Sequence, residues 1–206
     1  MNWIIKWMNN RIILDGYIRN IEFSHSSNGI EYSKAQLICK REDSPEEDLI
    51  NLKFKTFTNN YKENDFVNLT GNIRSYSRRE NGKNKVDIYV FTYFDKPSDV
   101  VESNNEFILE GTICKTNELR KTQKGSYQYQ FILANNLLSK ETHKKLNSYL
   151  PVVAFNDNAE ILSRLPINTE LKIKGRLQSR EYKKKIDNSV EIKIAHELIV
   201  REFEVV

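Results

Sequence analysis

Basic and aromatic side chains are interleaved in two short segments of the second half of the chain. Both segments place several Lys or Arg residues next to a tyrosine. The residues concerned are Arg120, Lys121, Lys124, Tyr127, Arg176, Arg180, Tyr182 and Lys183. Fixed cations hold phosphates, and exposed flat rings stack on unpaired bases. A surface that combines the two groups is typical of a groove for a single strand of nucleic acid.

The excess of positive charge lies in the same half of the chain. The 206 residues include 32 Lys and Arg against 28 Asp and Glu, which gives a formal net charge of +4. Residues 1–103 have a net charge of zero, whereas fifteen basic and six acidic residues lie between Lys115 and Lys185. A concentrated basic field is the electrostatic footprint of a nucleic-acid site. We therefore expect the second half to account for most of the binding.

Residues that support catalysis or metal binding are scarce. Two cysteines and three scattered histidines occur without CxxC, HxxxH or HExxH spacing, so neither a disulfide framework nor a zinc site is expected. The sequence contains no Gly-rich phosphate loop, no Ser/His/Asp set and no acidic cluster for two-metal chemistry. It therefore predicts a binding protein rather than an enzyme, with no cofactor and no metal.

The N-terminal segment MNWIIKWMNN has neither a basic leader nor a long apolar run. This predicts a cytoplasmic protein without a membrane span. Trp3 and Trp7 are four residues apart. That spacing is compatible with one face of a short helix that caps a domain, or with a contact between subunits.

The chain contains an internal repeat. IILDGYI at residues 12–18 matches FILEGTI at residues 107–113 with a constant offset of 95. VNLTGNIRS at residues 67–75 matches LKIKGRLQS at residues 171–179 with an offset of 104. Two motifs in the same order predict two copies of one domain.

The division between the two copies falls in the segment KPSDVVESN, which has the Pro, Ser, Asp and Asn of a linker. We expect a first domain at residues 9–97, a linker at residues 98–104 and a second domain at residues 105–203.

Apolar and polar residues alternate within each copy, as expected for half-buried strands. A glycine inside two strands of each copy suggests bulges where a small barrel turns a corner. A helical pattern is found at residues 159–165, before Pro166. The sequence therefore predicts an all-β chain of two tandem OB-fold barrels, each a five-stranded Greek key, with one short helix in the second.

Four segments of the second copy follow one another in the order FILEGTI, ELRKTQKGSYQYQFILA, YLPVVAFNDNAE and ELKIKGRLQSREYKKK. They resemble, in turn, the first strand, the following turn, the central strand with its helix, and the strand with a basic-aromatic tip of the bacterial single-stranded-DNA-binding protein family. The first copy resembles that family only through ILDGYI, LTGNI and the repeat itself. The chain as a whole resembles the form of the family that has two OB domains.

The resemblance implies a protein that binds single-stranded DNA with little sequence preference during replication, recombination or repair. It also implies a homodimer that presents four OB domains. Family members usually end in a flexible tail with an acidic tip that recruits replication and repair enzymes. This sequence ends in HELIVREFEVV, without such a tip, which leaves recruitment of those partners open.

The resemblance also implies roles for individual aromatic residues. Tyr149, Phe155 and Tyr182 occupy positions where the family places base-stacking rings, although core packing remains an alternative for Phe155. The analogous surface of the first copy consists of Phe57, Arg74, Tyr76 and Arg78. The zero net charge of that copy predicts a secondary role, in extending the site or in building the dimer.

Two other functions fit the same pattern. An OB-fold RNA-binding or primosome-type accessory protein would share the groove but differ in its preference for the 2′-hydroxyl or for forked DNA. A protein-interaction scaffold that no longer binds nucleic acid would explain the neutral first copy. Titration with poly-dT and poly-U distinguishes the first alternative from a protein that binds single-stranded DNA. Loss of all binding would favour the second alternative.

Overall fold

A computed structural model describes residues 10–57, 61–80, 82–97, 105–123, 125–138, 145–186 and 189–206. The expected linker at residues 98–104, the pair Trp3 and Trp7, and Lys124 lie outside the described residues.

The described chain consists almost entirely of β-strands. The strands of the first half are β1 (Asn10–Ser27), β2 (Ile30–Lys40), β3 (Glu47–Lys55), β4 (Phe66–Glu80) and β5 (Lys83–Pro97). Those of the second half are β6 (Asn105–Thr116), β7 (Arg120–Lys121), β8 (Tyr127–Leu138), β9 (Lys145–Phe155), β10 (Glu170–Ile186) and β11 (Ser189–Val205). A single described helix, α1 (Asn156–Ser163), follows β9.

Each half closes into a five-stranded barrel. In the first half β1 pairs with both β2 and β4, β2 pairs with β3, and β3 pairs in parallel with β5, which returns to β4. The second half repeats this order with β6, β8, β9, β11 and β10. We call the β1–β5 unit barrel 1 and the β6–β11 unit barrel 2. The expected all-β fold of two tandem OB barrels is confirmed.

The two barrels are joined into one sheet by antiparallel pairing of β1 with β6. At the centre of this pairing Ile12 lies opposite Phe107. These two residues occupy the same position in the sequence repeat, so the junction has approximate two-fold symmetry. The repeat therefore explains the way in which the barrels meet.

Equivalent asparagines extend this junction on its two sides. The side-chain amide of Asn10 donates to the carbonyl of Ile73 at 2.7 Å and accepts from its N–H at 2.8 Å. Asn105 makes the same pair of bonds with Leu177, at 2.7 and 2.9 Å. Asn10 also donates to the side chain of Asn135 at 2.8 Å, and this bond is buried. Buried backbone and amide groups at the junction are thereby satisfied.

Glycines allow two strands to bend where the barrels close. The register of β4 against β5 shifts at Gly71, and that of β10 against β11 shifts at Gly175. A Cβ atom on Gly175 would lie 1.9 Å from the carbonyl oxygen of Ile199. A Cβ atom on Gly71 would lie 2.7 Å from the carbonyl oxygen of Phe91. The bulges expected at these two glycines are confirmed, and each requires the absence of a side chain. Those expected at Gly16 and Gly111 are not found, because β1 and β6 keep their register there and shift only a few residues later.

The interior of each barrel is apolar, as the alternating pattern predicts. Tyr129 and Phe131 are both buried in the core of barrel 2. Helix α1 spans Asn156–Ser163, so it begins three residues before the predicted start and ends two residues before the predicted end. The sequence did not predict its first turn because Asn and Asp have weak helix propensity. Its residues Ala159 and Leu162 are fully buried, so packing stabilises the helix.

Candidate nucleic-acid interface

A groove of about 460 Å³ lies on the outer face of barrel 1. All five strands of the barrel contribute to its walls. The lining residues with ionic or aromatic side chains are Glu22, Lys34, Lys53, Tyr76, Asp87 and Tyr89. The volume falls within the range of about 300–1,000 Å³ that is usual for ligand sites.

Lys53 lies against two aromatic rings inside this groove. Its Nζ atom is 4.5 Å from the ring centre of Tyr89 and 5.7 Å from that of Tyr76. Burial lowers the pKa of Lys53, an effect that Asp87 opposes and Lys34 reinforces. Tyr76 is 56% exposed, so a ligand can reach its ring. The groove thus combines a partly desolvated cation with two rings, which are the groups that hold a phosphate and a base.

Further rings continue this surface along β5 and β2. Phe91 lies opposite Lys53 in the parallel pairing of β3 with β5. The guanidinium carbon of Arg74 is 4.1 Å from the ring centre of Phe91. The ring of Tyr32 is 6.3 Å from that of Phe91 and stacks on His25 at 4.8 Å. Barrel 1 therefore presents a row of rings interleaved with cations.

Ion pairs lie along the rim of the groove. Glu22 pairs with Lys34 at 2.9 Å, and Arg78 pairs with Asp87 at 2.8 Å. Both pairs are substantially exposed, so they are screened by salt and contribute little to stability.

Phe57, which the sequence also predicted to contact DNA, lies two residues after the end of β3. Its side chain is 69% exposed.

The corresponding face of barrel 2 has different chemistry. Equivalent positions follow from the strand pairing, because Leu52 lies opposite Val90 in barrel 1 as Val152 lies opposite Leu198 in barrel 2. By this correspondence Val153 replaces Lys53, Arg180 replaces Tyr76, and Glu197 replaces Tyr89. These equivalences show that the cation and its two rings are not repeated.

The replacements in barrel 2 form an ion pair beside an apolar residue. Arg180 bonds to Glu197 at 3.1 Å, and Val153 is buried. The aromatic groove is therefore a feature of barrel 1, although charge counting favoured the second copy. The distribution of binding between the copies stays a prediction.

Two of the barrel 2 residues expected to bind DNA form the short strand β7. Arg120 and Lys121 are exposed and pair with Gln128 and Tyr127 of β8. The Nζ atom of Lys121 is 5.5 Å from the ring centre of Tyr127. Tyr127 is half-buried and also packs against the core. The structure thus brings Lys121 next to Tyr127, while the ring of Tyr127 has part of its surface in the core.

Two further aromatic residues lie on the outer face of β9, Tyr149 near the middle of the strand and Phe155 at its last position. Tyr149 is 49% exposed, and Phe155, directly before α1, is 37% exposed. A strand rises about 3.3 Å per residue, so the two residues are about 20 Å apart. They cannot contact the same base, and each would need its own.

The second predicted cluster is spread along β10. Tyr182 is half-buried and pairs with Lys193 of β11, and Lys183 next to it is exposed. Arg176 bonds at 2.9 Å to Asp43, in the loop between β2 and β3 of barrel 1. This bond lowers the pKa of Asp43. The guanidinium of Arg176 therefore links the two barrels in the unbound chain.

A buried ion pair holds the same side of the junction. Asp48 is bonded by Arg41 at 2.8 Å and by the N–H of Ser179 at 2.8 Å. The Ser179 hydroxyl accepts from the N–H of Leu49 at 2.9 Å, and Arg41 donates to the Ser179 carbonyl at 2.9 Å. On the other side of the two-fold axis the corresponding acceptor is the hydroxyl of Ser148, 3.3 Å from the N–H of Ser75. The junction is therefore ionic on one side and neutral on the other.

His196 is a titratable group that contacts this junction through Leu49. Its Nε2 atom donates to the carbonyl of Leu49 at 2.7 Å. Burial lowers the pKa of His196, although that carbonyl, Asp48 and Asp87 act in the opposite direction. A lowered histidine pKa means that the unfolded chain binds a proton first as the pH falls. We therefore expect stability to decrease below about pH 6.5.

Urea unfolding between about pH 7.5 and about pH 5.5 measures this effect. His196→Gln keeps a donor for the Leu49 carbonyl but cannot titrate, so its stability should change less over this range than that of the wild type. An identical pH dependence in the variant and the wild type would assign the effect to other groups.

Lys53, Tyr89 and Phe91 were not predicted from the sequence. The signal for the two rings was their alternation along β5 with the buried residues Ile88, Val90 and Thr92. Only the parallel pairing of β3 with β5 brings Lys53 next to them.

Comparisons with known proteins agree with this architecture. The family model described as "Single-strand binding protein family" matches residues 104–206, half of the chain. A search of curated proteins found no match. The chain is similar to the wild-type single-stranded DNA binding protein from Thermus aquaticus, with a TM-score of 0.71, 17% identity and coverage of 95% of this chain and 92% of that one.

A deletion mutant of the same Thermus aquaticus protein gives a TM-score of 0.73 at 17% identity, with coverage of 95% of this chain and 93% of that one. The fold similarity and the family match therefore agree with each other. The chain belongs to the single-strand binding protein family, in a form with two OB barrels in tandem.

In the described ranges, no helix has the length and apolar character needed to span a membrane. No group of three or more His, Cys, Asp or Glu side chains in the same ranges is arranged to hold a metal ion.

Proposed function

We propose that the protein binds single-stranded DNA with little sequence preference and protects single strands during replication, recombination or repair. The observation that carries the proposal is the groove of barrel 1, where Lys53 lies on the rings of Tyr76 and Tyr89. Its membership of the single-strand binding protein family and its fold similarity to the Thermus aquaticus protein support the choice of ligand. Stacking uses the face of any base, which is why little sequence preference is expected.

The strand contacts that we propose extend over both barrels. In barrel 1 they are Phe57, Arg74, Tyr76 and Arg78, to which the structure adds Lys53 and Tyr89. In barrel 2 they are Arg120, Lys121, Lys124, Tyr127, Tyr149, Phe155, Arg176, Arg180, Tyr182 and Lys183. Arg176 would have to exchange Asp43 for a phosphate. We assign the barrels to domains at residues 9–97 and 105–203, and the protein to the cytoplasm, where its two free cysteines would stay reduced.

Titration of a fluorescently labelled dT oligomer tests this function. We expect saturable binding that an excess of unlabelled dT reverses more effectively than poly-U does. Stronger competition by poly-U would favour an RNA-binding protein, because the 2′-hydroxyl would then contribute to affinity. Absence of binding to both strands would contradict the proposal and favour a protein-interaction scaffold.

We also propose a homodimer that presents four barrels. The outer face of the joined β1–β6 sheet has two half-buried isoleucines, Ile13 and Ile108, which a second chain could cover. Sedimentation at micromolar concentration should show a species of twice the chain mass. A single species at the chain mass of 24.3 kDa would contradict the dimer and leave the binding function unaffected.

A further inference from the structure

We infer that barrel 1 has a stacking site that barrel 2 does not repeat: bases stack on Tyr76 and Tyr89 in the groove, whereas the equivalent positions of barrel 2 contribute charge and stacking there falls to other rings, such as Tyr149 and Phe155. The inference rests on the proposed function and adds a specific site to it. It gives barrel 1 a share in binding that its net charge of zero does not predict. Its basis is the difference between side chains at equivalent positions of the two barrels.

The groove of barrel 1 offers a base two rings that Lys53 also contacts. The ring centres of Tyr89 and Tyr76 are 4.5 and 5.7 Å from its Nζ atom. A base that enters the groove must share these faces with the ammonium group. Tyr76 is 56% exposed and Lys53 has a long flexible stem, so the ammonium can move while the rings stay in place.

The ammonium group of Lys53 gains a second possible partner when a strand binds. A stacked base brings its own phosphate to the edge of the groove. Lys53 can then exchange the weak attraction of a ring face for a phosphate oxygen, which is the stronger contact. Lys53 therefore occupies the stacking site in the unbound protein and becomes a phosphate ligand in the complex.

The equivalent positions of barrel 2 do not repeat this arrangement. There Arg180 bonds to Glu197 at 3.1 Å, and the position of Lys53 is taken by the buried Val153. A base cannot stack on this ion pair as it does on two rings. The exposed rings of Tyr149 and Phe155 lie elsewhere on β9, and the exposed cations Arg120 and Lys121 lie on β7, which pairs with β8.

Two labelled oligomers of equal length distinguish stacking from phosphate contact. One is dT, and the other carries an abasic sugar at every position, so that it keeps the phosphates and lacks the bases. Tyr89→Leu and Tyr76→Ala should each lower the affinity for dT by about 5- to 150-fold, the range for loss of one base–ring stack. Their affinity for the abasic oligomer should equal that of the wild type.

The matched control is Arg180→Ala, at the position of barrel 2 that corresponds to Tyr76. It should change the affinity for both oligomers by the same factor. Tyr89→Phe keeps the ring and should bind dT like the wild type, which separates loss of stacking from a folding defect. Thermal melting of each variant completes this control.

The salt dependence tests the exchange made by Lys53. Lys53→Met should reduce the log–log salt slope for dT by about 0.7, the value for one phosphate contact with a single strand. Tyr89→Leu should leave the slope unchanged. An unchanged slope in Lys53→Met would contradict the exchange.

Failure of this inference can be told apart from failure of the proposed function. If the wild type binds dT and Tyr89→Leu, folded, binds it equally well, the assignment of stacking to barrel 1 is overturned while the function stands. The same conclusion follows if Arg180→Ala selectively loses affinity for dT. If the wild type binds neither oligomer, the proposed function is overturned and the inference with it.

Discussion

Replacing Asp48 by alanine is expected to lower the free energy of unfolding by about 3 kcal/mol. The side chains of Asp48 and Arg41 are 1% and 9% exposed, and they form an ion pair at the junction of the barrels. Asp48 also accepts the N–H of Ser179. Its removal leaves a largely buried guanidinium whose other carboxylate partner, Glu46, is exposed. Uncompensated burial of charge is one of the costliest consequences of a single substitution.

The control is Ser148→Ala, at the corresponding position on the neutral side of the junction. It removes one ordinary hydrogen bond and should cost about 1 kcal/mol. Urea unfolding of both variants measures the difference. Equal losses of stability would show that the Arg41–Asp48 pair contributes no more than an ordinary hydrogen bond. The double replacement Arg41→Met with Asp48→Leu should recover much of the loss, because no unpaired charge then remains.

Gly175→Ala is expected to destabilise barrel 2 by about 3 kcal/mol or more. The new Cβ atom would lie 1.9 Å from the carbonyl oxygen of Ile199, a backbone atom that cannot turn away as a side chain can. The bulge between β10 and β11 would have to open, and the closing strands of the barrel would separate. Thermal unfolding measures the effect.

Gly71→Ala is the matched variant in barrel 1. Its Cβ atom would lie 2.6 Å from the Val90 side chain and 2.7 Å from the Phe91 carbonyl oxygen. We expect a smaller loss, because part of that clash is with a side chain. A Gly175→Ala protein as stable as the wild type would mean that the bulge does not require glycine.

The fold could be predicted from the sequence because its signals are local or repeated. Alternation along each strand and the bulge glycines Gly71 and Gly175 depend only on neighbouring residues. The offset between IILDGYI and FILEGTI revealed the second copy. Ile12 and Phe107, which this offset relates, lie opposite each other in the structure, so the junction of the barrels follows the symmetry of the repeat.

The candidate site could be predicted only in part, because it is assembled from strands that are distant in sequence. Lys53 reaches Tyr89 through the parallel pairing of β3 with β5, which alternation does not specify. Net charge predicted that the second copy carries most of the binding. A count of charges, however, does not show which of the cations are already paired with carboxylates. Arg176 illustrates this, because its partner Asp43 is 133 residues away.

The central claim, that the protein binds single strands, is tested most directly by titration with two labelled DNAs of the same length. One is a dT oligomer, and the other folds into a hairpin duplex. The exposed rings of barrel 1 can stack on unpaired bases, whereas bases in a duplex already stack on each other. We expect at least about tenfold tighter binding of dT at the same salt concentration. Equal affinity for the two DNAs would contradict the account.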